Sequence, residues 1–319
     1  MLVGAAVQAL AHPNIALVKY WGKRDDELNI PATPSLAMTL GGFSTMTRVE
    51  SAATDVVHLD GEQVDDKKIT AWLAAVREQF DVPPLRVEST SDFPAASGLA
   101  SSASGFAALA LAVSTICELE WSQAKLCEWA RRGSASAARS VHGGFVVMEP
   151  RDSACAVSQV LAAAEWDLNV VVAINAKTRK PIPSTEGMTR ARATSSYYDA
   201  WLSSTQTAFQ EGVEAVKARH FDMLANVAET SCRNLHALML SSAPPLVYWN
   251  ETTIKCIEAI TQMRLQGLDV FYTIDAGPHV KAVCDVKVAQ DVTRRLNEVP
   301  GVVEVRLGRI GEGARLLVA

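Results

Sequence analysis

The chain has 319 residues, of which 49% are hydrophobic and 20% are charged, and its formal net charge is -5 at pH 7. This composition excludes a disordered tail, a collagen repeat and a low-complexity protein. The acidic balance supplies no broad cationic field for phosphate backbones or anionic lipid, so nucleic acid is not expected as a partner.

The longest apolar stretches, such as residues 106–113, fall short of the roughly 20 residues that cross a bilayer. The first ten residues lack the basic start of a signal peptide. We therefore expect a cytoplasmic protein without a membrane partner.

The predicted elements of the first half, in chain order, are strands 14–19, 44–50 and 55–59, then helices 68–80, 101–119 and 122–132. Asp60-Gly61 predicts a two-residue hairpin turn. Ser122 is the predicted N-cap of the third helix, and Gly133 is predicted to end it in the left-handed conformation. One face of the second helix is predicted to be core: Phe106, Leu109, Ala110, Val113 and Cys117.

The second half is predicted to continue with strands 144–149 and 168–175, a crossing between domains over 177–192, helices 195–240 and 250–267, strands 270–274 and 280–285, helix 288–299 and strand 302–307. This order resembles a split βαβ sandwich, with helices on one face of a mostly antiparallel sheet. At roughly 150 residues per domain, the length predicts two domains.

Six cysteines form no Cys-x-x-Cys pair and are expected to be free, mostly buried thiols. Cys232 and His236 lie four residues apart on a predicted helix, a spacing that metal ligands can adopt. Because nothing nearby supplies the other ligands of a zinc site, the pair is interpreted as a packing face of the helix.

Small residues over 94–105 run directly into an apolar helix. Small side chains let backbone N–H groups approach an anion, and a helix N-terminus adds about half a positive charge there. The segment predicts a phosphate cradle, although close packing alone also favours such residues. It matches neither the lysine-bearing P-loop nor the dinucleotide-binding glycine motif.

Residues 14–25 form a predicted strand that ends in two lysines, an arginine and two aromatic residues. Strand alternation sends Lys19 opposite to Val18, close to the buried part of the strand. A lysine in that position needs an anion. For Lys23 and Arg24, a solvated charge in a turn is an equal alternative.

Residues 133–144 alternate hydroxyls with small side chains, and Arg139 follows three positions after Ser136. This stretch offers backbone and hydroxyl donors. An arginine there can bind a carboxylate or phosphate through two parallel hydrogen bonds.

Residues 272–278 form an apolar strand that delivers Asp275 into a Gly-Pro turn. A carboxylate at a strand end beside cations can orient or deprotonate a hydroxyl. As an isolated feature, such an aspartate more often caps the turn.

Five segments together resemble the mevalonate diphosphate decarboxylases, a family of the GHMP small-molecule kinase superfamily. They are NIALVKYWGKRD from Asn14, PAASGLASSASGFAAL from Pro94, GSASAARSVHGGF from Gly133, STEGM from Ser184 and TIDAGP from Thr273. The resemblance spans nearly the whole chain, and all five segments occur in family order.

The resemblance implies an α/β (α+β) fold of the GHMP-kinase type. Residues 1–180 would form an ATP-binding domain of the ribosomal-protein-S5-like type, and residues 181–319 a ferredoxin-like α/β sandwich. It further implies a homodimer that uses ATP and Mg²⁺ in the mevalonate pathway of isoprenoid biosynthesis. The reaction would convert mevalonate 5-diphosphate to isopentenyl diphosphate, ADP, phosphate and carbon dioxide through a 3-phosphorylated intermediate.

The resemblance also implies roles for individual residues. Asp275 matches the catalytic aspartate, Lys19 the lysine paired with it, and Arg139 the arginine that holds the substrate carboxylate. Substrate-lining positions are Tyr20, Trp21, Lys23, Ser134, Ser136, Ser184 and Thr185. ATP-binding positions are Ser97, Gly98, Leu99, Ala100, Ser101 and Ser102. No magnesium ligand is implied, because these decarboxylases lack the acidic ligand of other superfamily members.

The chain departs from the family pattern at four positions. Thr185 stands where some bacterial members carry an arginine. The resemblance therefore does not identify the residue that binds the terminal phosphate of the substrate. Ala37, Ala138 and His279 stand where Ser, Cys and Asn are expected.

Three alternatives remain. The substrate could be mevalonate monophosphate, the chain could phosphorylate C3 of mevalonate or a relative without decarboxylation, or it could be an inactive nucleotide-binding homologue. Because Asp275 and Lys19 are both present, decarboxylation is favoured. His142 and His279 are left out of the mechanism, since a histidine in a loop is more often a neutral hydrogen-bonding partner.

Overall fold

A computed structural model describes residues 6–93, 101–176 and 182–317. Its strands are β1 (Val7–Ala11), β2 (Asn14–Val18), β3 (Lys23–Asp25), β4 (Ile30–Pro31), β5 (Ser35–Gly41), β6 (Thr45–Ser51), β7 (Val56–Leu59), β8 (Glu62–Gln63), β9 (Leu85–Ser91), β10 (Phe145–Pro150), β11 (Cys155–Leu161), β12 (Leu168–Ile174), β13 (Val270–Thr273), β14 (Val280–Asp285), β15 (Glu304–Ile310) and β16 (Arg315–Leu317). Its helices are α1 (Lys67–Arg77), α2 (Ser101–Ile116), α3 (Gln123–Gly133), α4 (Ala137–Ser140), α5 (Ser184–Thr194), α6 (Tyr198–Ala218), α7 (Phe221–Leu240), α8 (Glu251–Leu265) and α9 (Ala289–Asn297).

The described strands form two large sheets and a small β3-β4 hairpin. The first sheet has the order β16-β1-β6-β9-β7-β8, and α2 packs on β1 and β6. The second has the order β11-β10-β5-β15-β12-β14-β13, with β2 also paired to β5. Every described pair is antiparallel except β7 with β9, which fits the predicted mostly antiparallel sheet.

The helices of the second half cover the second sheet and bury its apolar residues. α6 and α7 pack on β2, while α8 and α9 pack on β13, β14 and β15. β12 lies between β14 and β15, and the last described strand, β16, returns to pair with β1. The chain therefore crosses between its two halves more than once.

Two predictions that rest on a few neighbouring residues of the sequence are confirmed. The hairpin at Asp60-Gly61 has positive φ at both positions (52° and 89°), as a tight hairpin turn requires. The Ser122 hydroxyl accepts a hydrogen bond from the Lys125 N–H at 3.3 Å and caps α3.

The prediction for Gly133 is wrong. It is the last residue of α3 and has no positive φ, and the following Ser134 is extended. A Cβ at Gly133 would lie 2.0 Å from the ring of Phe106, so the glycine allows α3 to approach α2 closely.

The helical patterns predicted over 195–240 form two helices, separated where Arg219 adopts a left-handed conformation. Two other predictions need correction. α2 is buried on more than the predicted face, because it lies between the first sheet and helices α3 and α4. Much of the predicted crossing, from Ser184 onward, is helix α5.

Among the described residues, no helix is both long and apolar enough to span a bilayer. All six cysteines are free, and four are buried, as predicted: Cys127, Cys232, Cys256 and Cys284.

Candidate active site

A cavity of about 800 Å³ lies where the ends of several elements meet. It is bounded by the residues after β2, the starts of α2 and α5, the α3–α4 segment and the loop after β13. The predicted site residues that line it are Lys19, Tyr20, Trp21, Lys23, Ser101, Ser102, Ser134, Ser136, Arg139, Ser184, Thr185 and Asp275. The remaining predicted positions, Ser97, Gly98, Leu99 and Ala100, lie outside the described residues.

Asp275 follows β13 and lies between two lysines. Lys19 Nζ is 2.7 Å from Asp275 Oδ1, and Lys281 Nζ is 3.3 Å from Asp275 Oδ2. Both lysines are almost completely buried (1% exposed), whereas the Asp275 side chain is 26% exposed. The carboxylate therefore faces the cavity while its two oxygens contact buried ammonium groups.

The packing of α7 and β13 fixes Lys19 at the end of β2. Its ammonium also donates to the carbonyl of Ala16 at 2.7 Å. Its backbone N–H donates to Ser231 Oγ on α7 at 2.9 Å. The hydroxyl of Thr273 donates to the same Ala16 carbonyl at 3.1 Å. Lys19 and Asp275, which are 256 positions apart in the sequence, are thus held together by hydrogen bonds of the backbone as well as of the side chains.

Burial alone would raise the pKa of Asp275, but the charges and hydrogen bonds of Lys19 and Lys281 outweigh it and hold the pKa well below its usual range. The carboxylate is therefore ionised at neutral pH. A carboxylate of such low pKa is a weak base toward a free alcohol, and it is suited to accept a hydrogen bond.

Arg139, on α4, is 3% exposed and is oriented by two side chains. Its Nε donates to Asn14 Oδ1 at 3.1 Å, and its Nη1 donates to Ser35 Oγ at 2.5 Å. Within the described chain, Nη2 has no hydrogen-bond partner. Burial lowers the pKa of the guanidinium to about 10, which leaves it charged at neutral pH. A second cation beside the cavity can thus hold an anionic group.

The alternative of a solvated turn charge applies to Arg24 but not to Lys23. Arg24 is exposed and contacts the carbonyls of Arg151 and Asp152. Lys23 is 8% exposed and lines the cavity, and burial lowers the pKa of its ammonium. Arg192 on α5 donates to the Lys23 carbonyl at 2.8 Å and so fixes this part of the chain.

Helices α5 and α2 both begin beside the cavity. α5 starts at Ser184, and its cap residue Pro183 supplies no side-chain hydrogen bond. The positive end of the helix dipole there favours an anion. Gly187 lets this helix approach Trp21, because a Cβ there would lie 2.9 Å from the indole ring. α2 starts at Ser101, and Ser102 Oγ lies 3.2 Å from Ser134 Oγ. Both helix starts suit phosphate groups.

Cys232 and His236 form a packing face, as predicted. His236 Nε2 accepts a hydrogen bond from Trp249 Nε1 at 3.0 Å, and burial lowers the pKa of its imidazole to about 3. The Cys232 thiol lies 3.6 Å from the carbonyl of Ile274, next to Asp275. In the part of the chain that the structure describes, no cluster of three or more His, Cys, Asp or Glu side chains could hold a metal ion.

Two residues of the site, Lys281 and Asn14, were not predicted from the sequence. Lys281 lies within the apolar strand β14, and a lysine in a buried strand needs an anion, so the pattern around it does indicate its role. Asn14 opens the buried strand β2. It orients Arg139, and its amide nitrogen donates to the Ser136 carbonyl and to Ser140 Oγ. Nothing in the sequence indicates that pairing, which joins residues 125 positions apart.

The buried imidazole of His279 makes stability depend on pH. Its Nδ1 accepts from the Asn175 N–H, and burial together with the charge of Lys281 lowers its pKa from 6.5 to about 3. Below pH 6.5 the unfolded chain binds a proton that the folded protein excludes, so the free energy of unfolding falls as the pH decreases. Between pH 7 and pH 5 this histidine removes about 2 kcal/mol.

We expect His279→Asn, which cannot titrate, to lose that share of the pH dependence. Urea unfolding of both proteins at pH 7 and pH 5 measures it, and the free energy of unfolding of the variant should fall by about 2 kcal/mol less. An equal decrease in the two proteins would contradict the assignment.

Comparisons with known proteins agree on one family. Residues 11–158 match the profile described as diphosphomevalonate decarboxylase-like N-terminal domain, and residues 170–304 match the mevalonate 5-diphosphate decarboxylase C-terminal domain. The chain is 33% identical to the diphosphomevalonate decarboxylase of Candida albicans over 90% of its own length and 88% of the relative. It is 32% identical to the enzyme of that name from Rattus norvegicus, over 86% and 75% of the two chains.

Solved structures show the same likeness. Mevalonate diphosphate decarboxylase from Staphylococcus aureus superposes with a TM-score of 0.91 at 32% identity, covering 98% of both chains. A structure of MDDEF in complex with MVAPP, AMPPCP and magnesium gives a TM-score of 0.90 at 33% identity, covering 98% of this chain and 99% of that one.

Proposed function

The chain belongs to the diphosphomevalonate decarboxylase family, which makes it an ATP-dependent decarboxylase of mevalonate 5-diphosphate, and we propose that Asp275, Lys19 and Arg139 carry the reaction. The observation that supports these roles is the contact of Asp275 with Lys19 beside the same cavity that Arg139 lines.

In the first step, Asp275 accepts a hydrogen bond from the C3 hydroxyl of the substrate. This contact directs the hydroxyl oxygen toward the γ-phosphorus of ATP. The low pKa of this carboxylate disfavours early deprotonation. The hydroxyl becomes strongly acidic only as its oxygen bonds to phosphorus and the bond from that phosphorus to the bridging oxygen of ADP breaks. ADP leaves, and the proton then passes to Asp275. The charge of Lys19, 2.7 Å away, stabilises the carboxylate until that point.

In the second step, the C3 phosphate leaves and the substrate loses carbon dioxide. Departure of the phosphate leaves positive charge on C3, and the electron pair of the bond to the carboxylate quenches it as the double bond forms. Arg139 Nη2 is the donor that we assign to the substrate carboxylate, with Asn14 and Ser35 fixing the plane of the guanidinium. A substrate carboxylate held in one orientation favours loss of carbon dioxide over attack of water on C3.

The substrate diphosphate is assigned to the start of α5 and to the neighbouring cation Lys23. Ser184 and Thr185 supply hydroxyls at this helix start, and the phenol of Tyr20 has a buried oxygen without a hydrogen-bond partner among the described residues. These groups complement the oxygens of a diphosphate.

ATP and Mg²⁺ are the cofactors. We assign Ser101 and Ser102, at the start of α2, to the nucleotide phosphates and their magnesium ion. Magnesium takes most of its ligands from nucleotide phosphates and water, so hydroxyls at a helix start fit this donor set. The ion neutralises charge on the phosphate oxygens when it is bound.

Incubation with ATP, Mg²⁺ and mevalonate 5-diphosphate should release carbon dioxide and inorganic phosphate in equal amounts. Mevalonate 5-phosphate and mevalonate, assayed in parallel, test the other two substrates. Phosphate release or a phosphorylated product without carbon dioxide would indicate a C3 kinase, and preference for the monophosphate would overturn the assignment of the diphosphate.

We further propose that the chain divides into an ATP-binding domain (residues 1–180) and a C-terminal domain (residues 181–319). Two separate profile matches, to residues 11–158 and 170–304, support a division into two parts. We propose as well that the protein is a homodimer located in the cytoplasm, which rests on the family resemblance of the sequence.

A further inference from the structure

Asp275 contacts a second lysine that does not itself line the cavity. Lys281 lies on β14, between Val280 and Ala282, and pairs across the sheet with Val172 of β12 and Thr273 of β13. It is 1% exposed, so water cannot solvate its ammonium. Burying a charge in a sheet is costly unless an opposite charge lies nearby, and the Asp275 carboxylate lies 3.3 Å away.

We propose that Lys281 is a positioning residue for the decarboxylation, in that its ammonium holds Oδ2 of Asp275 and fixes the carboxylate between two cations while the reaction uses the face turned to the cavity. This inference rests on the proposed role of Asp275. The two lysines differ in position. Lys19 lines the cavity and contacts Oδ1, whereas Lys281 contacts Oδ2 from within the sheet.

The contact restricts the carboxylate in a way that one lysine does not. With a single partner at Oδ1, the group can rotate about its Cβ–Cγ bond. A second contact at Oδ2 fixes its plane and therefore the direction in which it accepts a hydrogen bond. Asp275 needs this support, since it stands in the loop after β13 rather than within a strand.

The two lysines also determine the charge of Asp275. The groups that face it are Lys19 after β2, Lys281 on β14, Arg139 on α4, and Cys232 and His236 on α7. Burial raises the pKa of the Cys232 thiol to about 11 and lowers that of the His236 imidazole to about 3, so both are neutral near pH 7. Loss of Lys281 should therefore raise the pKa of Asp275.

Lys281→Met removes the charge at nearly constant volume, Lys281→Arg retains a cation, and Lys287→Met on the exposed turn after β14 is the matched control. We expect Lys281→Met to lower kcat at pH 7 about 30-fold or more with KM within about threefold of wild type. On the acid side, kcat of Lys281→Met should begin to fall at a pH at least about one unit higher than kcat of the wild type. Lys281→Arg should recover most of kcat, and Lys287→Met should match the wild type.

The titration of Asp275 is measured on the free enzyme by carbon-13 NMR of its carboxylate, with Asp275→Asn identifying the resonance. We expect it to titrate at higher pH in Lys281→Met than in the wild type, the Lys281→Arg variant or the Lys287→Met variant. Because this readout needs no substrate, it tests Lys281 even if the wild-type protein fails to decarboxylate mevalonate 5-diphosphate.

Two results would overturn the proposal. One is a Lys281→Met protein that folds and keeps the wild-type titration of Asp275 together with at least a tenth of wild-type kcat. The other is a folded Lys281→Arg protein that loses kcat as severely as Lys281→Met, since shape rather than charge would then matter. If Lys281→Met does not fold, near-wild-type kcat and titration in Lys281→Arg support the role, and a large loss of kcat there refutes it.

Discussion

Asp275→Asn is expected to lower kcat by about three to five orders of magnitude, because an interaction used in the transition state is lost. The amide keeps one acceptor oxygen but cannot hold the proton of the C3 hydroxyl as the bond to phosphorus forms. It also lacks the charge that pairs with Lys19 and Lys281. Single-turnover measurement of carbon dioxide and phosphate release would detect the loss.

The same substitution removes the anion from two buried ammonium groups. We therefore expect the free energy of unfolding to fall by about 3 kcal/mol, the cost of leaving a buried charge without its partner. ATP binding is measured below the melting temperature and should be unchanged. Asp285→Asn, at the far end of β14, is the control and should retain wild-type kcat. An Asp275→Asn enzyme with kcat within tenfold of wild type would remove Asp275 from the mechanism.

Arg139→Lys is expected to lower kcat/KM by about two to three orders of magnitude, although the charge is retained. The guanidinium uses Nε for Asn14 and Nη1 for Ser35 and still has Nη2 for the substrate. A lysine ammonium is a single point of charge on a flexible chain and cannot span these three directions. Asn14 Oδ1 and Ser35 Oγ would lose their buried partners as well.

Steady-state kinetics with varied mevalonate 5-diphosphate measures this effect, and a nucleotide-binding assay checks that the ATP site is intact. Arg233→Lys on the exposed side of α7 is the matched control, and its kcat/KM should stay within about twofold of wild type. Equal kcat/KM for Arg139→Lys and wild type would show that planar recognition of the substrate carboxylate is not needed.

The elements that the sequence predicts well are those whose cause lies within a few residues. The Asp60-Gly61 turn needs two residues that tolerate positive φ, and the Ser122 cap needs a hydroxyl three positions before a free N–H. Gly133 shows the limit of such reasoning. A glycine at a helix end predicts a left-handed residue, but here the ring of Phe106 on another helix requires the glycine.

The direction of Lys19 is a case where alternation along the strand is insufficient. The pairing of β2 with β5 shifts between Ala16 and Val18, so one extra residue interrupts the alternation of side chains. All five residues of β2 are buried, and α7 and β13 cover its end. The position of the Lys19 ammonium therefore follows from its neighbours in space.

By itself, the sequence determined the family, the mostly antiparallel α/β architecture and the residue types of the site, because motifs and local hydrophobic patterns are contained in short stretches of chain. Only the tertiary structure decided that Lys281 is the second cation on Asp275, that Asn14 orients Arg139 and that Lys23 is buried while Arg24 is exposed. The reason is physical: burial and ion pairing depend on distances between groups that are remote in sequence, and packing sets those distances.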